Sequence, residues 1–383
     1  MGVEFRLGRQ DHNKVEDFLV RQPGGVSAIT LDTMAARHQQ GAAEAAREAG
    51  VNVLFDPATE RLADIGFELE GLTYDDGAPY DVNRLASDAS ARATLVGQLV
   101  EAHPETTTVT TPPHFYVHDD RSANLNVALA EATVHETDKP VRATLVLARR
   151  YGETAAIRLA TEYAQAGVRL LDLRVSPLGG DNESVAKIRS VFRLADTFRD
   201  AGMEVVLGFS GNIGQVAVAL GHVAHYSVGI GLREKVNHAE MISRQKTPLK
   251  PTNGDEGGGR FGATAGIYLP GPAVTLSRKA GAALLDNTDI RTRIGCRLGS
   301  CGQSVAGPAR DPREHYLHAR AHEMSQLLTR PEPWRPTAEM DRLRRALELR
   351  ELINEHYLTA DVRKLNTRTL RSLLDDIEVE QAA

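Results

Sequence analysis

The sequence predicts an α/β fold, a (β/α)8 TIM-like barrel followed by a helical extension and a small cysteine–histidine subdomain. Three observations predict it. Short apolar runs recur along the chain, and most are followed by a stretch with helical periodicity. Roughly eight such runs fall within about 250 residues, the usual size of a closed barrel. No G-x-G-x-x-G opens a helix after the first run, which counts against the doubly wound, dinucleotide-binding rival.

The elements follow in order. "VSAITLDT" (26–33) reads as a strand, and "MAARHQQGAAEAAREAG" after it as a helix ending on a glycine cap. "VNVLFDP" (51–57) is the next strand. Residues 57–105 read as an acidic, turn-rich insertion containing "GLTYDDGAPYD". "TTTVTTPPHFYVH" (106–118) is β-rich and broken by Pro112 and Pro113. "VRATLVLA" (141–148), "VRLLDLRVSP" (168–177) and "MEVVLGFS" (203–210) are strands, each leading into a helix. "VAHYSVGIG" follows, and "AGIYLPGP" (265–272) reads as the last barrel strand. Residues 244–263 are polar and then glycine-rich, the composition of a lid or binding loop. These boundaries give a barrel over 1–290, a cysteine–histidine subdomain over 291–330 and charged helices over 331–383. The apolar positions of "TAEMDRLRRALELRELINEHY" recur at helical spacing, so this tail should pack on the barrel, on a protein partner or on a second copy of the chain.

Composition bounds the function. Of 383 residues, 42% are hydrophobic and 25% charged, as in an ordinary globular protein, and the net charge is −6. A molecule-wide basic field for nucleic acid is therefore excluded, while a local basic groove is left open. Two cysteines give no disulfide framework, so a cytoplasmic location is expected. No apolar run reaches the roughly 18 residues of a membrane helix, and the start of the chain lacks a signal-peptide core.

In a barrel the strand carboxyl ends build the site. That rule selects Asp32, Asp56, His114, His118, Arg149, Asp172, Arg174, Ser210, Asn212, Ser227 and Arg233. Asp172 and Arg174 share parity on one strand, as a structural ion pair or as a catalytic one. Gly179 and Gly180 after that strand let backbone approach a planar base or a phosphate. Ser210 and Asn212 lie in a glycine-rich turn at a helix start, as an anion site or as a capped turn. His225 and Ser227 lie two apart on a strand, so a Ser-His-Asp hydrolase is one possible reading, though it needs a third orienting group and no G-x-S-x-G elbow is present. Cys296 and Cys301 precede His315, His318 and His322. His318 and His322, four apart on one helix face, would complete a zinc site with the two thiols.

From residue 203 onward, "MEVVLGFSGNIGQVAVALGHVAHYSV" resembles the queuine/archaeosine tRNA-guanine transglycosylase superfamily. In that family a strand reading V-D-x-F-D ends on the aspartate nucleophile, and the matching strand here is Val223-Ala224-His225-Tyr226-Ser227. "SPLGG" is similar to its base-binding loop, at Gly179 and Gly180. Its C-x-C-x-x-C with a later histidine binds zinc, and here Leu298 stands at the middle cysteine of Cys296–Cys301. The resemblance covers about 170–320 and implies a divergent barrel that binds guanine or a 7-deazaguanine-type base. Deazaguanine metabolism or antiphage defence (a CBASS-type or DNA-modification operon) is the implied setting. Ser227 in place of the carboxylate leaves catalysis open. Two other readings stand beside it: an unrelated barrel enzyme acting on a small phosphorylated substrate, and a scaffold that binds a protein partner through its C-terminal helices.

Overall fold

The computed structural model describes residues 1–66, 72, 74, 77–231, 234–247 and 265–382, with the side chains of 181, 300 and 380–382 outside that description. Seven parallel strands form one sheet: β1 (Gly2–Arg6), β2 (Val26–Asp32), β3 (Asn52–Asp56), β4 (Arg142–Ala148), β5 (Leu170–Ser176), β6 (Glu204–Leu207) and β7 (His225–Gly229). Their order is β3-β2-β1-β7-β6-β5-β4. The stretch 108–117 joins the two edge strands. Thr108 N–H donates to Val53 O at 2.8 Å, while Val117 N–H donates to Val146 O and Ala148 N–H to Val117 O, both at 2.8 Å. Pro112 and Pro113 interrupt this stretch, so it closes the barrel as an irregular eighth position rather than a ladder.

Two corrections to the expected strands follow. The first barrel strand is Gly2–Arg6, which apolar runs do not reveal. Its Val3 and Phe5 pack outward, Phe5 edge-on to Phe18 at 6.0 Å, while Arg6 reaches inward to Asp56 and Asp172. A strand with charges on its inner face has no continuous apolar run. The segment 265–272 is not a barrel strand. It supplies β8 (Ile267–Leu269), which pairs antiparallel with β9 (Val274–Leu276) as a separate hairpin.

The expected helices lie where their periodicity places them, over Gln40–Glu48, Arg149–Gln165, Val185–Asp200 and Gly211–Ala219. Two of them end beside Gly167 (φ 81°) and Gly202 (φ 86°), in the left-handed region that favours glycine. Within 57–105 the later described residues form helices: Asp81 and Asp88 cap Val82–Ser87 and Ala89–Ala102, while 67–71, 73, 75 and 76, part of the expected acidic insertion, lie outside the described residues. Of the expected lid at 244–263, the part from 248 on lies outside the described residues.

The main core lies between the outer strand faces and the helices. Met340 and Leu343 of the helix Arg335–His356 join it, as do Leu370, Leu373 and Leu374 of the helix Arg368–Ala382. The C-terminal helices thus bury apolar faces on their own barrel. A second core gathers Ile267, Leu269, Leu284, Ile294 and Ile353, so residues 267–294 pack with the helix Arg335–His356. No described helix is long and apolar enough to cross a membrane.

Candidate functional site

The inward side chains of four strands meet near the carboxyl end of the barrel. Arg6 ends β1, Asp56 ends β3, Asp172 and Arg174 lie on β5, and Ser227 lies on β7. Arg6 donates to Asp56 Oδ2 at 2.7 Å and also to Asp172. Arg174 donates to Asp172 Oδ2 at 2.9 Å and to Asp56 Oδ2 at 2.7 Å. Burial alone would raise the Asp56 and Asp172 carboxyls, but the two guanidiniums outweigh it and hold both below the usual carboxylate range. Asp172 is wholly buried, yet its Oδ1 makes no hydrogen bond.

Local backbone makes room for this cluster. A Cβ at Gly208 would lie 2.6 Å from Arg174 Cγ and 2.7 Å from Asp172 Oδ1, so glycine is required after β6. Phe209 takes φ 51°, a conformation a bulky residue adopts at a cost of about 1–3 kcal/mol. This places its ring 4.9 Å from the Arg6 guanidinium and 5.4 Å from that of Arg174. Ser227 is fully buried, and its Oγ accepts from Arg6 Nε at 3.1 Å and from Phe209 N–H at 3.2 Å.

Beside the cluster, His114 presents Nε2 to Glu60 Oε2 at 3.1 Å and to Asp56 Oδ1 at 3.9 Å. Its backbone is fixed by Thr59, whose hydroxyl donates to His114 O and accepts from His114 N–H, both at 2.7 Å. Tyr116 stacks on His238 at 4.1 Å and on His118 at 5.6 Å. Ser176, at the end of β5, accepts from His238 N–H at 2.9 Å.

The other expected site residues are placed elsewhere or are already engaged. Gly179 N–H donates to Glu183 Oε1 at 3.0 Å, and Gly180 takes φ 61°. Ser210 Oγ donates to Leu207 O at 2.8 Å, which makes it part of its own turn. Asn212 Oδ1 accepts from the wholly buried Arg320 at 2.7 Å, and its Nδ2 donates to Ala273 O at 2.6 Å. The Glu234 side chain, ion-paired with Arg320, lies against Gly211 at the same helix start, within 3.1 Å of where a Cβ would sit, and fills the space an anion would need. His225 lies at the opposite, amino end of the barrel, with Nε2 3.1 Å from Glu204, and burial lowers its pKa. Arg233 lies outside the described residues.

The cysteine–histidine group comes together with one change of member. Cys296, Cys301, His315 and His318 converge with one ligand atom each, all within 4.8 Å of one another. His318 Nε2 lies 3.3 Å from Cys296 Sγ, 3.5 Å from Cys301 Sγ and 3.4 Å from His315 Nδ1. Ligands about 2.0–2.3 Å from a tetrahedral zinc have such spacings. The fourth member is His315 and not His322, which is exposed. His315 is held by its other nitrogen, whose N–H donates to Tyr268 O at 2.5 Å, the usual outer support of a metal-binding histidine. Leu298 N–H donates to Cys296 Sγ at 3.3 Å. The Cys301 thiol beside it holds the Cys296 thiol well below its ordinary range, against the opposing effect of burial.

Arg6, Glu60, Phe209, Tyr116 and His238 are absent from the expected site. Arg6 is hidden because its strand carries charges on its inner face, and the other four lie outside the strand ends that the barrel rule selects. No family model matches the chain, and no curated protein matches it. Among solved structures it is similar to dihydrodipicolinate synthase from Oceanobacillus iheyensis, at 8% identity over 100% of this chain and 97% of that one, with a TM-score of 0.26. So low a score carries no argument, and the barrel assignment stands on strand order and register.

Proposed function

We propose that the chain is a transglycosylase-like barrel protein that binds a guanine or 7-deazaguanine-type base at its mouth and makes no covalent bond through Ser227. The observation that carries this reading is the group Cys296, Cys301, His315 and His318, assembled directly after the barrel where the resemblance implies zinc. Its donor set, ligand spacing and Tyr268 support fit a structural zinc ion, which would tie the segment 296–301 to the helix Pro312–Leu328. Ser227 lacks the means to act as a nucleophile. Its oxygen accepts two hydrogen bonds, and the neighbouring carboxylates of Asp56 and Asp172 accept from Arg6 and Arg174, which hold them below the usual range and make them weak bases.

Two observations favour this reading over its rivals. The Glu234 side chain fills the space beside Gly211 at the 211–219 helix start, which leaves no room for a phosphate there. The C-terminal helices spend their apolar faces on the barrel. The test is calorimetric titration of the full chain with guanine, 7-deazaguanine and inorganic phosphate, with zinc measured on the same sample. Base binding with about one zinc per chain is expected. Absence of heat with both bases overturns the reading.

A further inference from the structure

We propose that Asp56, Glu60 and His114 form a second metal site, at the barrel mouth, for a divalent cation of the manganese or zinc class. This site is independent of the base-binding reading and of the cysteine–histidine group.

The argument begins with the tautomer of His114. Its Nδ1 lies 3.1 Å from Pro112 O, which can only accept, so Nδ1 carries the proton. In the neutral ring Nε2 is then a bare lone pair. It faces Glu60 Oε2 at 3.1 Å and Asp56 Oδ1 at 3.9 Å, which are lone-pair donors as well. His114 is 1% exposed and Glu60 6%, and neither Nε2 nor Oε2 makes a hydrogen bond. Buried orphans of this kind are costly unless something sits between them.

A cation resolves the conflict better than a proton does. The contact between Nε2 and Oε2 has hydrogen-bond distance without hydrogen-bond geometry. A separation near 3 Å is what adjacent ligands show around an ion about 2.0–2.2 Å from each. The charges agree: among the described residues the carboxylates of Asp56, Asp172 and Glu60 form ion pairs with two guanidiniums, those of Arg6 and Arg174, while the nearby Arg142 is matched by Glu4, which leaves one negative charge in excess. Asp56 is also divided suitably. Both arginines take Oδ2, and Oδ1, which accepts from Ala58 N–H at 3.0 Å, remains on the His114 side. The ligands are preorganised, because Thr59 locks the His114 backbone to the turn that carries Glu60. One imidazole and two carboxylates suit manganese, iron or zinc and leave coordination positions open to water or an oxygen ligand.

The test uses the full chain with its cysteine–histidine group loaded with zinc, dialysed against Mn2+. The expected result is one Mn2+ per chain beyond the zinc, with a single nitrogen coupling from His114 in the electron spin-echo spectrum. Glu60→Gln, nearly isosteric, and His114→Ala should each weaken Mn2+ uptake at least tenfold while zinc content and near-ultraviolet dichroism stay unchanged. Cys301→Ala should lose zinc and keep Mn2+. A wild-type chain that takes up no Mn2+ and no second Zn2+ overturns the proposal and leaves a shared proton between His114 and Glu60. Mn2+ uptake that neither substitution alters, or that lacks the nitrogen coupling, overturns it equally. Failure of base binding bears on none of these readouts.

Discussion

The barrel mouth and the cysteine–histidine group both concentrate ionisable side chains, but on opposite principles. At the mouth, positions 6, 56, 172 and 174 bring opposite charges together from across the chain, and each guanidinium meets two carboxylates. Around Cys296, all four groups are electron-pair donors drawn from residues 296–318. The first assembly largely compensates itself; the second is reconciled only by a cation. The Asp56–Glu60–His114 corner lies inside the first region but behaves like the second, because three donors face one another there. Self-compensation and donor crowding therefore separate groups that hold a fold together from groups that wait for a ligand.

The largest effect tests the donor-crowded side. Cys301→Ala should abolish zinc binding and destabilise the segment around 296–318 by several kcal/mol, since the free energy of metal binding is also folding free energy. His315→Ala should do the same, and His322→Ala should retain zinc, because His322 is exposed and outside the group. Elemental analysis and chelator-dependent melting of the three variants decide it. Zinc loss from His322→Ala with retention in His315→Ala would reverse the assignment of the fourth ligand.

The self-compensated side should break next. Asp172→Asn leaves Arg6 and Arg174 buried with one fewer negative partner, a change that typically costs about 3–5 kcal/mol. Equilibrium urea unfolding measures it, and a cost under about 1 kcal/mol would mean that the mouth charges are more hydrated than their burial implies. The acid response follows from the same contacts. Asp56 and Asp172 are held below their ordinary pKa values by Arg6 and Arg174, against the raising effect of burial. Their contribution is therefore fully present above the unfolded carboxylate range near pH 4 and is lost as pH falls through the folded values.

How much of each region the sequence reveals follows from the same contrast. Strands β2 to β6 are readable because a parallel sheet covered by helices leaves near-continuous apolar runs. Strand β1 is not, because Glu4 and Arg6 interrupt its run by facing the barrel interior, so Arg6 was hidden with it. The 265–272 run is as apolar as a barrel strand, and only its partner at 274–276 reveals a hairpin. The two cysteines stand out beside the later histidines, although their spacing matches no standard zinc finger. The choice between His315 and His322 was not legible, since one lies three residues before His318 and the other four after, and both share its helix face. The carbonyl of Tyr268, distant in sequence, makes the choice. Glu60 carried no signal, because its role depends on the contact between Thr59 and His114.

A smaller effect probes barrel closure. His103 Nδ1–H donates to Leu99 O at 2.8 Å, and its Nε2 accepts from Thr111 N–H at 3.0 Å, which anchors the stretch that bridges β3 and β4. Burial pushes its pKa down to about 4 from 6.5. The neutral ring therefore supports folding above pH 6.5, and that support is lost as pH falls toward 4, by at most roughly 3 kcal/mol. Urea midpoints measured across this interval should fall with pH in the wild type and flatten in His103→Gln. Equal slopes in the two would remove His103 from barrel closure.

The smallest change returns to Ser227, where structure and chemistry separate. Ser227→Ala removes the acceptor for Arg6 Nε–H and Phe209 N–H. Arg6 keeps its contacts with Asp56 and Asp172, so the cost should be about 1–2 kcal/mol, below that of Asp172→Asn. Base binding should change by less than about threefold, because the hydroxyl is fully buried and already engaged. A nucleophile responds differently: removing it suppresses turnover by orders of magnitude while stability hardly moves. Unfolding and base affinity measured on the same variant thus distinguish a serine that ties Arg6 to Phe209 from one that attacks a sugar carbon. A variant of unchanged stability that had lost base exchange would move Ser227 from the framework of the mouth into its chemistry.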